Sequence, residues 1–172
     1  MMTLAKHPNF AGVKECTGHE RIGLYAAEGI LCWSGNDDEC FESRWKYGGH
    51  GVISVTSNML PGVMSKLMMD ESQGDLNDKV LPFMGWLFDE PNPIALNTVM
   101  GMTGGANAVF RSPYFPYSMD KREKLVETLE PFLASEIYGG KPEVMDDGDF
   151  KVLGTWARGV SYTKATDGKM NF

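Results

Sequence analysis

A threefold alternation near the start of the chain constrains its fold more than any other feature. Three short apolar runs, "FAGVKEC" (Phe10–Cys16), "GILCWSG" (Gly29–Gly35) and "GVISVTSN" (Gly51–Asn58), recur at intervals of about 20 residues. They show little strict alternation of polar and apolar residues, so each reads as a strand buried on both faces. Helix-like segments separate them. "GHERIGLYAAEG" follows the first run. "NDDECFESRWKYGG" follows the second, with Asn36 or Asp37 placed to cap it and acidic residues in its first turn. "LPGVMSKLMMDESQG" follows the third, with Pro61 near its start. A β-α-β-α-β-α order requires parallel strands joined by right-handed crossovers.

Beyond that point the pattern becomes helical. "DLNDKVLPFMGWLFDE" places Leu76, Val80, Phe83, Met84, Leu87 and Phe88 on one helical face, and Pro82 should kink this helix or lie in its first turn. "NPIALNTVMGMTGG" reads as a second helix closed by a glycine pair. "FRSPYFPYS" is a Pro-rich connector, and "SMDKREKLVETLEPFLASEI" is a third helix. Ser118 is its expected N-cap, and Leu125, Leu129, Phe132 and Leu133 form its apolar face. A turn-rich coda follows, with a short strand expected at Phe150–Leu153, and the polar end is expected to be disordered. The expected organisation is therefore a βα part at 1–73, a helical part with its coda at 74–155, and a tail at 156–172. Three parallel strands are too few for a closed barrel, which needs eight strands and about 250 residues. The count implies further units upstream, and "MMTLAKHPNF" reads as a chain that begins inside a domain, with neither a signal-peptide core nor transit-peptide character.

Composition narrows the function classes. With 172 residues, 42% of them hydrophobic, the chain can bury a core. A net charge of −7 argues against nucleic acid or an anionic membrane as the main partner. No apolar run reaches the roughly 18–20 residues of a membrane helix. Cys16, Cys32 and Cys40 are widely spaced without a CxxC pair, and read as reduced thiols. A metal site would need them to meet His7, His19 or His50, and no closed ligand spacing supports one, so neither a metal nor a cofactor is expected.

Lys14 is the residue that its surroundings explain least. Alternation puts it on one strand face with Gly12 and Cys16, and puts Val13 and Glu15 on the other. It is either a surface lysine at a strand end or a lysine at the mouth of a βα fold. In the second case desolvation favours a neutral amine, which attacks a ketone to form a Schiff base. "WSGNDDE" (Trp33–Glu39) is likewise either a capped helix start or a loop that touches a substrate. "GGHGVISVTSN" matches neither dinucleotide nor P-loop spacing, and no GxSxG or HExxH motif is present.

Taken together, "GVKECTG", "SGNDDE", "GGHGVISVTSN" and "EPNPIALN", in this order, resemble the C-terminal half of the dihydrodipicolinate synthase family, its plant and algal branch above all. The resemblance covers about residues 4–155. It implies an α/β fold made of the last three βα units of a (β/α)8 barrel, followed by a helical C-terminal domain. It also implies a lyase that condenses pyruvate with L-aspartate 4-semialdehyde through a lysine Schiff base in lysine (diaminopimelate) biosynthesis. Under the resemblance Lys14 is the imine-forming lysine, Ile53 offers its backbone carbonyl beside bound pyruvate, and Gly35 lines the aldehyde side. A homotetramer, lysine feedback and, given a transit peptide, a plastid location are implied as well, with the cytoplasm as the location otherwise. The first five βα units have no counterpart, nor do the threonine-rich loop, tyrosine relay and arginine that they carry. An inactive half-barrel that binds or modulates a full-length subunit or a complementary half is the other reading, since open strand edges and an exposed apolar inner face favour association.

Overall fold

A computed structural model describes residues 1–154 and the pair 161–162. The chain divides into two compact units, one of residues 1–58 and 62–81, the other of residues 59–61 and the chain from Pro82 onward. The expected boundary at 73/74 sits at the start of helix α4 (Gly74–Leu87), whereas the units part within that helix.

The first unit carries three parallel strands, β1 (Val13–Glu15), β2 (Cys32–Ser34) and β3 (Gly51–Val52), in the order β1-β2-β3. Helix α1 (His19–Ala27) joins the first two and α2 (Cys40–Trp45) the next two. Val13 pairs with Cys32, Lys14 with Trp33, and Glu15 with Ser34, while Trp33 and Ser34 pair with Gly51 and Val52. This register puts Val13, Glu15, Cys32, Ser34 and Val52 on one face and Lys14, Trp33, Gly51 and Ile53 on the other. Burial on both faces is not what the chain adopts. Glu15, Cys32 and Ser34 are buried, but Lys14 is exposed and Ile53 is 52% exposed. Two consecutive right-handed crossovers place both helices on one side of the sheet, so only that face is covered.

Two further expectations change. The third strand ends after Val52, and Thr56–Asn58 form a 3-10 turn. Local turn chemistry ends it: the Ser57 N–H donates to Ser54 Oγ at 2.9 Å, and Asn58 Nδ2 donates to the Val55 carbonyl at 2.9 Å. Neither Asn36 nor Asp37 caps α2, whose N-cap position is Glu39. Helix α3 (Pro61–Met69) does begin on its proline. In the first unit α2 holds α3 from the side, with Trp45 Nε1 donating to the Leu67 carbonyl at 2.8 Å.

In the second unit, Pro82 lies inside α4 and not in its first turn. Phe83, Met84 and Leu87 of that helix are fully buried, whereas Phe88 is exposed. Helix α5 (Ile94–Met102) ends before Gly104, whose φ of 71° is the left-handed conformation expected of a closing glycine. Helix α6 (Met119–Leu129) buries Leu125 and Leu129, and Phe132 is buried just beyond it, but Leu133 lies past the helix end and is exposed. Ser118 occupies the N-cap position without bonding an amide, because its side chain bonds the Asp120 carboxylate. An unexpected strand, β4 (Val109–Arg111), runs into the Pro-rich connector and pairs in parallel with β5 (Lys151–Leu153), the strand expected in the coda. Phe110 explains it: the side chain is buried, with its ring 6.0 Å from that of Phe150. Ser161–Tyr162 form β6, antiparallel to β5; the rest of the expected disordered tail, 156–172, lies outside the described residues.

Tyr117 organises this unit. Its hydroxyl accepts from the Glu90 N–H at 2.9 Å and donates to the Trp86 carbonyl at 3.1 Å, and its own N–H donates to Thr98 Oγ1 at 3.1 Å. Lys121 Nζ sits 4.7 Å from the Tyr117 ring centroid and pairs with Asp89 at 2.8 Å and Glu90 at 2.7 Å. The Lys121 ammonium holds the Asp89 carboxyl below its ordinary value of 3.8. A carboxyl lowered by folding stabilises the fold above its unfolded value, and that contribution disappears as pH falls through the folded value. Lys121→Met should therefore return Asp89 to ordinary titration in a side-chain NMR experiment and remove part of the acid sensitivity below about pH 4.

Candidate functional site

The site is built where the three parallel strands end. On β1, Lys14 lies between Gly12 and Cys16 on the uncovered face. Below it, the Trp33 ring fills the space left by glycines on both flanking strands. A Cβ on Gly12 would lie 2.5 Å from Trp33 Cζ3, and one on Gly51 would lie 3.3 Å from Trp33 Cδ1. Above it, a Cβ on Gly35 would overlap both Lys14 Cε and Cys16 Sγ. Gly35 is thus the gap into which these two side chains fold, and its N–H donates to the Glu15 carbonyl at 2.8 Å. Ile53 is tied to the same place by its N–H, which donates to the Ser34 carbonyl at 2.9 Å. Lys14 and Gly35 are therefore in contact, and Ile53 follows just past the end of β3.

Beneath this face, Glu15 is buried. Burial pushes its carboxyl up, but the Thr17 hydroxyl at 2.7 Å and the Thr17 N–H at 2.8 Å outweigh that and leave it below the ordinary carboxylate range. The carboxylate therefore stays charged near neutral pH on the face opposite Lys14.

The loop after β2 stitches the three strand ends together. Asn36 Nδ2 donates to the Cys16 carbonyl at 3.2 Å, and the Asn36 N–H donates to Ser34 Oγ at 3.1 Å. Asp37 is fully buried, and its Oδ2 accepts from the N–H groups of Val55 and Thr56 at 3.0 and 2.6 Å. The sequence offers Asn36 or Asp37 as the helix cap, and the fold uses Asp37 otherwise. Its actual role is to hold the loop that follows Ile53, and the only signal for that was a carboxylate beside a strand end. Asp37→Ala leaves the buried Thr56 amide and the part-buried Val55 amide unpaired and should destabilise the chain by about 2–4 kcal/mol in urea unfolding. Asp37→Asn keeps an acceptor oxygen and should lose less than half of that.

Of the three thiols, Cys16 is exposed while Cys32 and Cys40 are buried. Among the described residues no three His, Cys, Asp or Glu side chains converge as a metal site needs, and no helix is long and apolar enough to cross a membrane. A cleft lined by Trp86, Asp120, Lys121 and Lys124 belongs to the second unit and shares no residue with the Lys14 cluster.

Comparison with known proteins decides the family. The family model described as the dihydrodipicolinate synthetase family matches residues 1–131. The chain belongs to this family. The chloroplastic 4-hydroxy-tetrahydrodipicolinate synthase 2 of Triticum aestivum is 52% identical over 151 residues, which cover 87% of this chain and 40% of that protein. Among solved structures, the chloride-inhibited dihydrodipicolinate synthase of Acinetobacter baumannii complexed with pyruvate is 31% identical, with a TM-score of 0.66. The match covers 74% of this chain and 47% of that one. A monomeric dihydrodipicolinate synthase variant is 32% identical, with a TM-score of 0.66 over 75% of this chain and 47% of its own. This dihydrodipicolinate synthetase family member thus spans less than half the length of the relatives that it matches.

Proposed function

We propose that this chain supplies the imine-forming part of a 4-hydroxy-tetrahydrodipicolinate synthase. In this reading β1, β2 and β3 are the last three strands of a (β/α)8 barrel, and the second unit is the helical domain appended to it. The contact of Lys14 with Gly35 at the ends of neighbouring strands carries the proposal, because it puts a primary amine where a barrel presents its chemistry.

The Lys14 amine attacks the ketone carbon of pyruvate, and loss of water leaves an imine. The imine loses a proton from the methyl carbon to become an enamine, whose carbon attacks the aldehyde of L-aspartate 4-semialdehyde. Cyclisation releases the product and frees the lysine for another turnover. Ile53 offers its carbonyl beside the pyruvate, and Gly35, having no side chain, leaves room for the aldehyde. The five other βα units are needed to grip the pyruvate carboxylate and relay protons, on the same polypeptide or on another. The chloroplastic relatives support a plastid location for the whole enzyme, and a homotetramer is its proposed assembly.

Co-expression with a polypeptide that encodes the five complementary units tests this. Condensation of pyruvate with L-aspartate 4-semialdehyde in the reconstituted pair is the expected result. A soluble pair in which borohydride traps no pyruvate on Lys14 would sink the proposal. A second reading, a half-barrel that modulates a full-length subunit, draws on the two sheet edges at β1 and β3, which pair with no further strand among the described residues.

A further inference from the structure

Lys14 and Cys16 form a nucleophilic pair that the synthase chemistry does not use as a pair. Both side chains fold into the space over Gly35, since a Cβ there would overlap Lys14 Cε and Cys16 Sγ together. The amine nitrogen is one bond from Cε, and turning about the Cδ–Cε bond swings it toward the space that the sulfur shares. Cys16 is exposed, so an oxidant reaches it. The other thiols are poor competitors: both are buried, and burial pushes the Cys40 thiol up to about 12 and the Cys32 thiol up as well.

We propose that Cys16 is an oxidant-sensing modification site that locks Lys14 through a reversible sulfur–nitrogen bond. A peroxide is the oxidant. The Cys16 thiol gives up its proton, the thiolate sulfur attacks one peroxide oxygen, the O–O bond breaks, and the sulfenic acid forms as the second oxygen leaves as hydroxide, which takes that proton to become water. The neutral Lys14 amine then attacks the sulfur. The S–O bond breaks, an S–N bond forms, and the hydroxyl leaves as water with a proton from nitrogen. One thiol, one amine and one peroxide thus become one sulfenamide and two waters. Two equivalents of a small thiol reverse the lock: the first takes the sulfur and frees the amine, and the second takes the resulting mixed disulfide and frees Cys16. While the bond stands, Lys14 cannot form an imine.

The inference rests on the Lys14–Cys16 juxtaposition, and its readout is mass rather than turnover, so it is judged separately from the synthase reading. The reduced 172-residue chain is treated with a small excess of hydrogen peroxide, and the products are weighed intact and after trypsin. The expected product has lost two hydrogens and gives a peptide His7–Arg21 uncut after Lys14, and dithiothreitol restores both. Cys16→Ser and Lys14→Arg should each eliminate it, and unfolding in urea should lower its yield by about tenfold or more because the pair loses its alignment. Oxygen added at Cys16 with normal cleavage after Lys14 overturns the proposal. So does a product that survives in either variant or forms equally well in urea.

Discussion

Replacing Lys14 with arginine in the reconstituted synthase is expected to lower turnover by about 10⁴–10⁶-fold, the scale seen when a covalent nucleophile is lost. Arginine keeps the charge and nearly the length of lysine. Its guanidinium stays protonated at any pH that the enzyme meets, so it offers no free electron pair to a ketone. Folding should be little affected, because Lys14 is exposed and its strand is held by backbone bonds such as the Val13 N–H to Leu31 carbonyl at 2.9 Å. Two measurements check it: the condensation rate, and the mass gained after pyruvate and borohydride. A variant that keeps a hundredth or more of the turnover would remove the imine from the mechanism.

The second large effect belongs to stability. Arg122 is fully buried in the second unit, where its guanidinium bonds the Met145 carbonyl and the Asp147 carboxylate and stands 5.3 Å from the Phe150 ring centroid. Asp147 is 49% exposed, so water screens the ion pair and its charge–charge attraction counts for little. The larger loss in Arg122→Ala comes from the emptied volume around Phe150 and from the unpaired Met145 carbonyl, and should reach about 3–4 kcal/mol in urea unfolding. Asp147→Asn keeps the packing and should cost about 1 kcal/mol. Equal costs for the two variants would mean that the charge, and not the packing, anchors the coda to α6.

Much of this was legible in residue order. The three βα units followed from spacing, and the helices α3, α5 and α6 from apolar period and from Pro61, Gly104 and the Leu125–Leu129 pair. The strand β4 was not legible, because "FRSPYFPYS" is rich in proline and only the buried meeting of Phe110 with Phe150 makes a strand there. The role of Asp37 is hidden in the sequence for a related reason. A carboxylate near a helix start bonds whichever amides lie closest, and those of Val55 and Thr56 arrive only when β3 comes alongside β2.

By itself the sequence determined the parallel order of the first three strands and the family, since both reside in local pattern and motif. It also singled out Lys14, a costly residue in an apolar run. Only the tertiary structure decided which sheet face is covered and that Glu15 rather than Lys14 is buried. It alone showed that Lys14 and Cys16 share the space over Gly35. Those facts depend on helices covering one side and on strands distant in the chain lying in register. A one-residue change of register would turn every side chain of a strand to the opposite face.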